Sequence, residues 1–470
     1  MLMRVLAASL LVAGLLSGCA GLDSSTKAAT AVGGLHAGSP LWNDPQNAPH
    51  PKWNWPTLSS PPANATGWWT PIVARALPNP VSGLEHVAQA MNGSSPISQG
   101  AGIAVFGHVA VVPEDREYAH FIDISDPTHP VEVGRIESSG RGAAVIAYPD
   151  GRLVTAISTS PGFDVIDFTD PTQPEMLAQV APREGGHKLG VVPGTPILYN
   201  AGSSGGEPLP NPVYGPGLCN VSIDQCVGYT SIYNLTDPAN PVLVQEFHNG
   251  LACHHIFFWN NAAEGRFRAL CAGIQYTQIW DTADPEHPKV LVSIPVHTGV
   301  ADTPSQMVSI AAFSHSAGLN TDGTILYVGD ENMGGGYPPG CVLGTSTPAG
   351  EAGTPVGATW FYDVRDELHP RLLGYFAPPR DAGHQVARSC TTHHGRIVPA
   401  EGRDLLAMSY YNDGVILVDF TPTMGEGGPA IVPKVVDEFN DGSDTWETWY
   451  DQGYLFTGDL ARGMDVLTFK

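Results

Sequence analysis

One phrase recurs along this chain, and nothing else in the sequence restricts the fold so strongly. Ile122-Asp-Ile-Ser-Asp-Pro-Thr-His-Pro130 returns as Ile166-Asp-Phe-Thr-Asp-Pro-Thr-Gln-Pro174, as Tyr233-Asn-Leu-Thr-Asp-Pro-Ala-Asn-Pro241 and as Trp280-Asp-Thr-Ala-Asp-Pro-Glu-His-Pro288. A degenerate copy is Tyr362-Asp-Val-Arg-Asp-Glu-Leu-His-Pro370. An apolar run follows each copy, Val131 to Ile136 after the first and Leu372 to Phe376 after the last. The residues before each Asp-Pro are β-branched or aromatic and alternate, as in a strand. Asp bonds its own backbone two residues on, and Pro presets φ for the next turn position. The second Pro opens the outgoing strand, where a missing N–H is tolerated at a strand start or an edge. Each copy therefore predicts a hairpin whose second strand is an edge.

Asp126 and Asp170 are 44 residues apart, and Asp237 and Asp284 are 47 apart, the length of a four-stranded propeller blade. The period predicts an all-β fold, a seven-bladed β-propeller, with six or eight blades as the alternatives. The expected blades span roughly residues 95–136, 140–180, 186–247, 252–294, 312–376 and 391–439. The turn of the sixth is degenerate, a Gly-rich Met424 to Pro429. The last blade offers only Thr445 to Tyr450, Tyr454 to Asp459 and Met464 to Phe469. Its fourth strand is expected from the N-terminal side, Leu84 to Met91, so that N- and C-terminal strands close the ring and remove exposed edges.

The Asp-Pro-x-x-Pro phrase after an Ile/Val-x-Asp strand resembles the LVIVD-repeat proteins over roughly residues 95–470. That resemblance implies a β-propeller and carries no particular activity.

The formal charge is −24, with 22 Lys+Arg among 470 residues. Such a surface disfavours nucleic acid, which requires a basic stripe, and an anionic membrane surface. At the N-terminus, Arg4, the apolar run Val5 to Leu16 and then Leu16-Ser-Gly-Cys19 have the shape of a secretory signal, too short to span a bilayer. Leu-Ser-Gly-Cys resembles the bacterial lipobox, which implies that Cys19 is lipidated and becomes the mature N-terminus. An ordinary cleaved signal is the alternative. The expected domains are residues 1–18 as signal peptide, 19–80 as tether and wrapping segment, and 81–470 as propeller. Localisation is then the cell envelope, at the outer membrane if there are two membranes, because Ala20 rather than Asp follows the cysteine. Trp42, Trp53, Trp55, Trp68 and Trp69 stand among prolines and predict a segment that wraps the outside of the domain.

Six further cysteines in an exported chain suggest disulfides. The pairing expected first is Cys219–Cys226, within one Gly/Pro-rich insertion. Cys253–Cys271 would join neighbouring strands of the fourth blade, and Cys341–Cys390 would tie a long loop to the sixth.

The chain has 17 histidines. His187, His254, His315 and His393 each stand just before the first strand of successive blades, with an apolar strand residue following. In a propeller that strand lines the central channel. Four imidazoles at one register therefore predict an arc about the axis able to hold a transition metal, Cu, Fe or Zn. The arrangement is similar to the four-histidine iron centre of the carotenoid-cleaving oxygenases, and more distantly to the selenium-binding, methanethiol-oxidase propellers, neither of which shares the Asp-Pro turns. His255 and His394 double two members of the arc. Arg141 and Glu447 stand near the matching points of other blades, and Asp330 and Glu331 end a second strand on the same face. These six are expected at the mouth or supporting the ligands. Two insertions, about 202–227 and 333–357, are expected to overhang that face, with the Asp-Pro turns on the opposite one. A purely structural role, imidazoles bonding a neighbouring blade's backbone, with no cofactor, is one alternative, and a metal-free ligand or acid/base site at the channel mouth is another.

Two functions remain open. One is a lipid-anchored propeller whose histidine-rich mouth holds a metal for redox or hydrolytic chemistry. The other is a non-enzymatic propeller that presents its loops to a protein, glycan or small molecule. There is no phosphate loop, no Rossmann glycine fingerprint and no H-E-x-x-H.

Overall fold

The computed structural model of the protein describes residues 81–90, 102–114, 117–159, 162–182, 186–202, 229–249, 253–261, 264–273, 276–295, 314–331, 357–377, 391–425 and 428–470, with 52–53, 66–68, 76–77 and 80. Cys19, Cys219, Cys226, Cys341 and Cys390 lie outside the described residues, as do nearly all of the two insertions, the signal and most of residues 19–80.

Seven four-stranded antiparallel sheets make up the described chain. Six of them follow sequence order from an inner to an outer strand. The inner strands are Ala104–Phe106, Gly140–Ala147, Lys188–Val191, His255–Asn261, Ser314–Leu319, Gly395–Ala400 and Thr445–Asp451. They belong to blades 1 to 7 in that order, and the molecule is a seven-bladed β-propeller. The outer strand of blade 7 is Leu84–Ala90, paired antiparallel with Met464–Phe469. The N-terminal strand thus fills the place that the three C-terminal strands leave open.

The repeated phrase forms the hairpin between third and outer strands, and its polar groups satisfy themselves. The backbone carbonyls of Asp126, Asp170, Asp237, Asp284 and Asp366 each accept the N–H three residues on. Their carboxylates accept the N–H two residues on, from Thr128, Thr172, Ala239, Glu286 and Leu368. The copy that has Glu367 in place of proline keeps the same geometry, so the Asp side chain rather than the ring sets the turn. In all seven blades the third and outer strands slip register within the pair. Such a bulge raises local twist. In blade 6 a small ribbon, Thr423–Gly425 with Gly428–Ala430, stands where the turn is degenerate.

Blades pack face to face through large apolar side chains. Trp259, Trp280, Tyr199 and Phe361 are fully buried. The contacts are close where an outer strand meets the next blade's turn. A Cβ on Gly134 would lie 2.0 Å from the Pro171 carbonyl oxygen, so only glycine fits there. On the N-terminal segment, Trp53 and Trp68 pack against the cores of blades 3–4 and 1–2. Lys52 bonds Asp284 at 2.7 Å and Glu286 at 2.6 Å in the turn of blade 4.

Candidate metal centre

The site is built where the inner strands begin. Several of them open on a β-bulge, in which two residues of one strand face one of its partner. His315 is the extra residue in blade 5, between Ser314 opposite Asp330 and Ser316 opposite Gly329. Arg141 in blade 2 and Trp446 in blade 7 occupy the same kind of slip. In blade 4 the His254 N–H donates to Ala272 O at 2.7 Å while His255 pairs with that same residue. In blade 6 the His393 N–H donates to Ser409 O, and the Ser409 N–H donates to His394 O. A regular strand sends successive side chains to opposite faces. The bulge allows both histidines of each doublet to turn toward the axis.

Six imidazoles meet there. The Nε2 atoms of His187 and His254 are 3.0 Å apart. Ring centroids follow at 4.4 Å from His254 to His315 and 4.2 Å from His315 to His393. His394 lies 4.1 Å from His393 and 4.4 Å from His255. The four histidines of the arc all join the cluster, and the ligand atoms fall into two groups rather than one. His187, His254 and His315 form one triad; His315, His393 and His394 form the other, each with its ligand atoms within 4.8 Å of one another. His394 therefore ranks with the ligands rather than behind them.

Burial keeps these rings neutral. It holds His187 near a pKa of about 3, with the Lys188 and Arg141 cations adding to the effect. The pKa values of His254, His255, His315, His393 and His394 are likewise well below the ordinary imidazole value, burial being the largest cause. A neutral imidazole has one lone pair to offer a metal. For His393 the geometry selects it: Nδ1–H donates to the Trp446 carbonyl at 2.5 Å, leaving Nε2 as the ligand atom. His394 is fully buried, and neither ring nitrogen has a hydrogen-bond partner. Two nitrogens bound to one ion at about 2.0–2.1 Å stand about 2.9 Å apart when cis at a right angle, close to the His187–His254 separation. The donor set fits a transition ion.

Glu331, just past the second strand of blade 5, closes one side. Its carboxylate is 3.3 Å from His315 Nε2 and 3.8 Å from His393 Nε2, and the Tyr411 hydroxyl donates to it. Burial pushes its pKa up to about 8, and Asp330 adds to the rise, against the Tyr411 hydrogen bond and Arg141. Tyr411 has φ of 49°, a left-handed backbone that a tyrosine rarely adopts. Its backbone is held by paired hydrogen bonds with Thr445.

The other expected mouth residues divide. Arg141 lies over the Trp446 ring at 5.6 Å, and that tryptophan carries the carbonyl that orients His393. Glu447 bonds Lys188 at 2.7 Å and Arg396 at 3.1 Å. Asp330 is buried, with its carbonyl accepting from Thr392. Asp459 caps a turn, accepting from the Asp444, Ala461 and Arg462 amides. His129, His287 and His369 sit in the exposed turns against Asp126, Asp284 and Asp366. Lys188 and Arg396 were not anticipated. Their signal was cations inside inner strands of a chain poor in them.

The Cys253–Cys271 disulfide joins the residue before His254 to the neighbouring strand, as the cysteine spacing predicts, and anchors the start of the blade 4 inner strand.

No protein-family model matches the chain, and no curated protein matches it. Among solved structures it is similar to Sqt1 of Saccharomyces cerevisiae, at 12% identity and TM-score 0.45, over 80% of this chain and 82% of that one. The Cps50 (Swd1) β-propeller domain of Myceliophteria thermophila aligns at 9% identity and TM-score 0.44, over 79% of this chain and 96% of that one. A functionally unknown protein from Desulfotomaculum acetoxidans DSM 771 aligns at 14% identity and TM-score 0.42, over 71% and 84%. At such identities a likeness speaks to fold alone. The fold supports a scaffold or binding role.

Proposed function

We propose that this protein is an envelope-anchored β-propeller that binds one transition-metal ion at the mouth of its channel. The observation that carries the reading is the convergence of six neutral imidazoles, of which His394 is fully buried without a hydrogen-bond partner. All-nitrogen imidazole donors suit Cu, Zn or Fe rather than Mg or Ca. One neutral ring serves one ion, so the two triads are overlapping seats that share His315. His187, His254, His315, His393 and His394 would hold the metal, and the Trp446 carbonyl orients His393. When bound, the ion supplies Lewis acidity for hydrolysis or electron transfer for redox chemistry. Glu331, whose carboxyl burial pushes toward the protonated form in the metal-free fold, lies 3.3 Å from His315 Nε2 and would be placed to exchange a proton there.

Export and lipidation at Cys19 are part of the proposal, as is membership of the LVIVD-repeat proteins. A disulfide within the propeller supports an oxidising compartment. Elemental analysis of protein purified without chelator tests the metal reading. The expected result is close to one Cu, Fe or Zn per chain, lost in His315→Ala, which takes a ligand from both triads. Wild-type protein that holds none and takes up none on titration sinks it. Release of the protein from membranes by Cys19→Ala tests the anchor.

A further inference from the structure

Just past the histidines the channel contains a cavity of about 60 Å³ in which one carboxylate faces two basic side chains. Its walls come from the inner strands of blades 2, 3, 4, 6 and 7 and include Lys188, Arg396, Glu447 and His255. Glu447 is the one acidic group of the lining, and it faces two cations. Lys188 Nζ lies 2.7 Å from Glu447 Oε2 and Arg396 Nη2 lies 3.1 Å from Oε1. All three side chains are at most 6% exposed. The Ile103 amide also donates to this carboxylate, which further uses its acceptor capacity.

Arg396 is held by stacking. Its guanidinium lies 4.5 Å from the ring centres of Phe257 and Trp449. Nη1 donates to Gly395 O, and Nε, though buried, has no hydrogen-bond partner. His255 Nδ1 on the same wall is likewise buried and without one. A guanidinium stays charged at any working pH and has a planar fork matched to a carboxylate. The backbone makes room for this arrangement: a Cβ on Gly142 would come within 2.9 Å of Lys188 Cδ. The rest of the lining is apolar, with Val145, Leu189, Ile256 and Trp449.

We propose that this cavity is a binding site for a small aliphatic carboxylate, with its charged end on Arg396 and Lys188 and its carbon end against the apolar wall. The anion supplies an acceptor for the buried Arg396 Nε–H and a negative charge beside the guanidinium. The volume admits about four or five water-sized groups, which suits formate, acetate or propionate and excludes an aromatic acid. The proposal does not depend on a bound metal.

Calorimetric titration of the chelator-treated full chain with sodium acetate, in a buffer free of carboxylates, tests it. Saturable binding of one acetate per chain is expected, with benzoate not competing. Arg396→Gln is expected to weaken binding by at least about tenfold. To separate this loss from misfolding, the second arm is a gain: Glu447→Gln removes the competing carboxylate and is expected to tighten binding by about tenfold. No saturable binding of formate, acetate or propionate to the wild-type chain, or unchanged affinity in Glu447→Gln, overturns the proposal. Because the titration uses metal-free protein, a failed metal analysis leaves it standing, and the reverse also holds.

Discussion

The repeated turns on one face of this propeller and the histidine cluster on the other treat their polar groups in opposite ways. On the face of the Asp-Pro turns, every repeated carboxylate is spent at once on its own turn. Asp126, for example, accepts from the Thr128 amide and hydroxyl and from His129. At the opposite face, buried polar atoms of His255 and His394 go without partners, and Arg396 keeps an unpaired donor deeper in the channel. A native fold tolerates few such atoms. Scaffold is built where the chain satisfies itself locally, and binding is prepared where it leaves groups unsatisfied around an axis that no single blade encloses.

Removing the shared ligand is expected to break that contrast most severely. His315→Ala takes a member from both triads and should lower metal affinity by well over about 100-fold. His187→Ala leaves the second triad whole and should cost much less. Equilibrium titration with Zn²⁺ and Cu²⁺ measures both, and equal losses would refute the two overlapping seats.

Acid should separate the faces next. The histidine pKa values are depressed in the fold, so between the unfolded value of 6.5 and the folded value the unfolded chain binds protons that the fold cannot. These rings therefore contribute stability that is lost as pH drops from about 6.5 until the folded pKa is passed, opposed by Glu331, Asp404 and Asp451, whose raised pKa values favour the fold as pH falls. His187, at about 3 in the fold, contributes a loss of about 2 kcal/mol at pH 5, and the buried rings add in the same direction. The Asp126 and Asp366 carboxyls are held below 3.8 by hydrogen bonds from Thr128 and His369. Their contribution is present above that value and is lost only as pH falls below it. Urea melts of the wild type and of His187→Gln at pH 7 and pH 5 check this, and the same change with pH in both would contradict a neutral His187 in the fold.

On the turn face the largest expected effect is steric. Gly134→Ala would drive a Cβ into the Pro171 carbonyl and should destabilise by about 1–3 kcal/mol, with metal binding intact. Smallest of all should be Asp237→Ala, which removes two exposed hydrogen bonds, from the Ala239 amide and from Asn240 Nδ2, and should lower the melting temperature by about 1 °C. Thermal melts read both. A large loss of metal from either variant would mean that the two faces are coupled.

Much of this was legible because it is local. The Asp-Pro phrase specifies its turn within four residues, so the blade register, the closing strand near Leu84 and the seven-fold count follow from the repeat. Cys253 and Cys271 lie on strands of one blade, and His187, His254, His315 and His393 share one register. The sequence alone therefore determined the scaffold and the arc. Tertiary structure decided how the arc is used. A bulge at His315 or at the doublets is a slip of one residue, invisible in a pattern of period two, and it brings His394 among the ligands. Glu447 was placed at the mouth by register and bonds Lys188 of blade 3 and Arg396 of blade 6. Those three residues are brought together only when the ring closes. Contacts across an axis depend on the angles of all seven blades, and no stretch of chain encodes them alone.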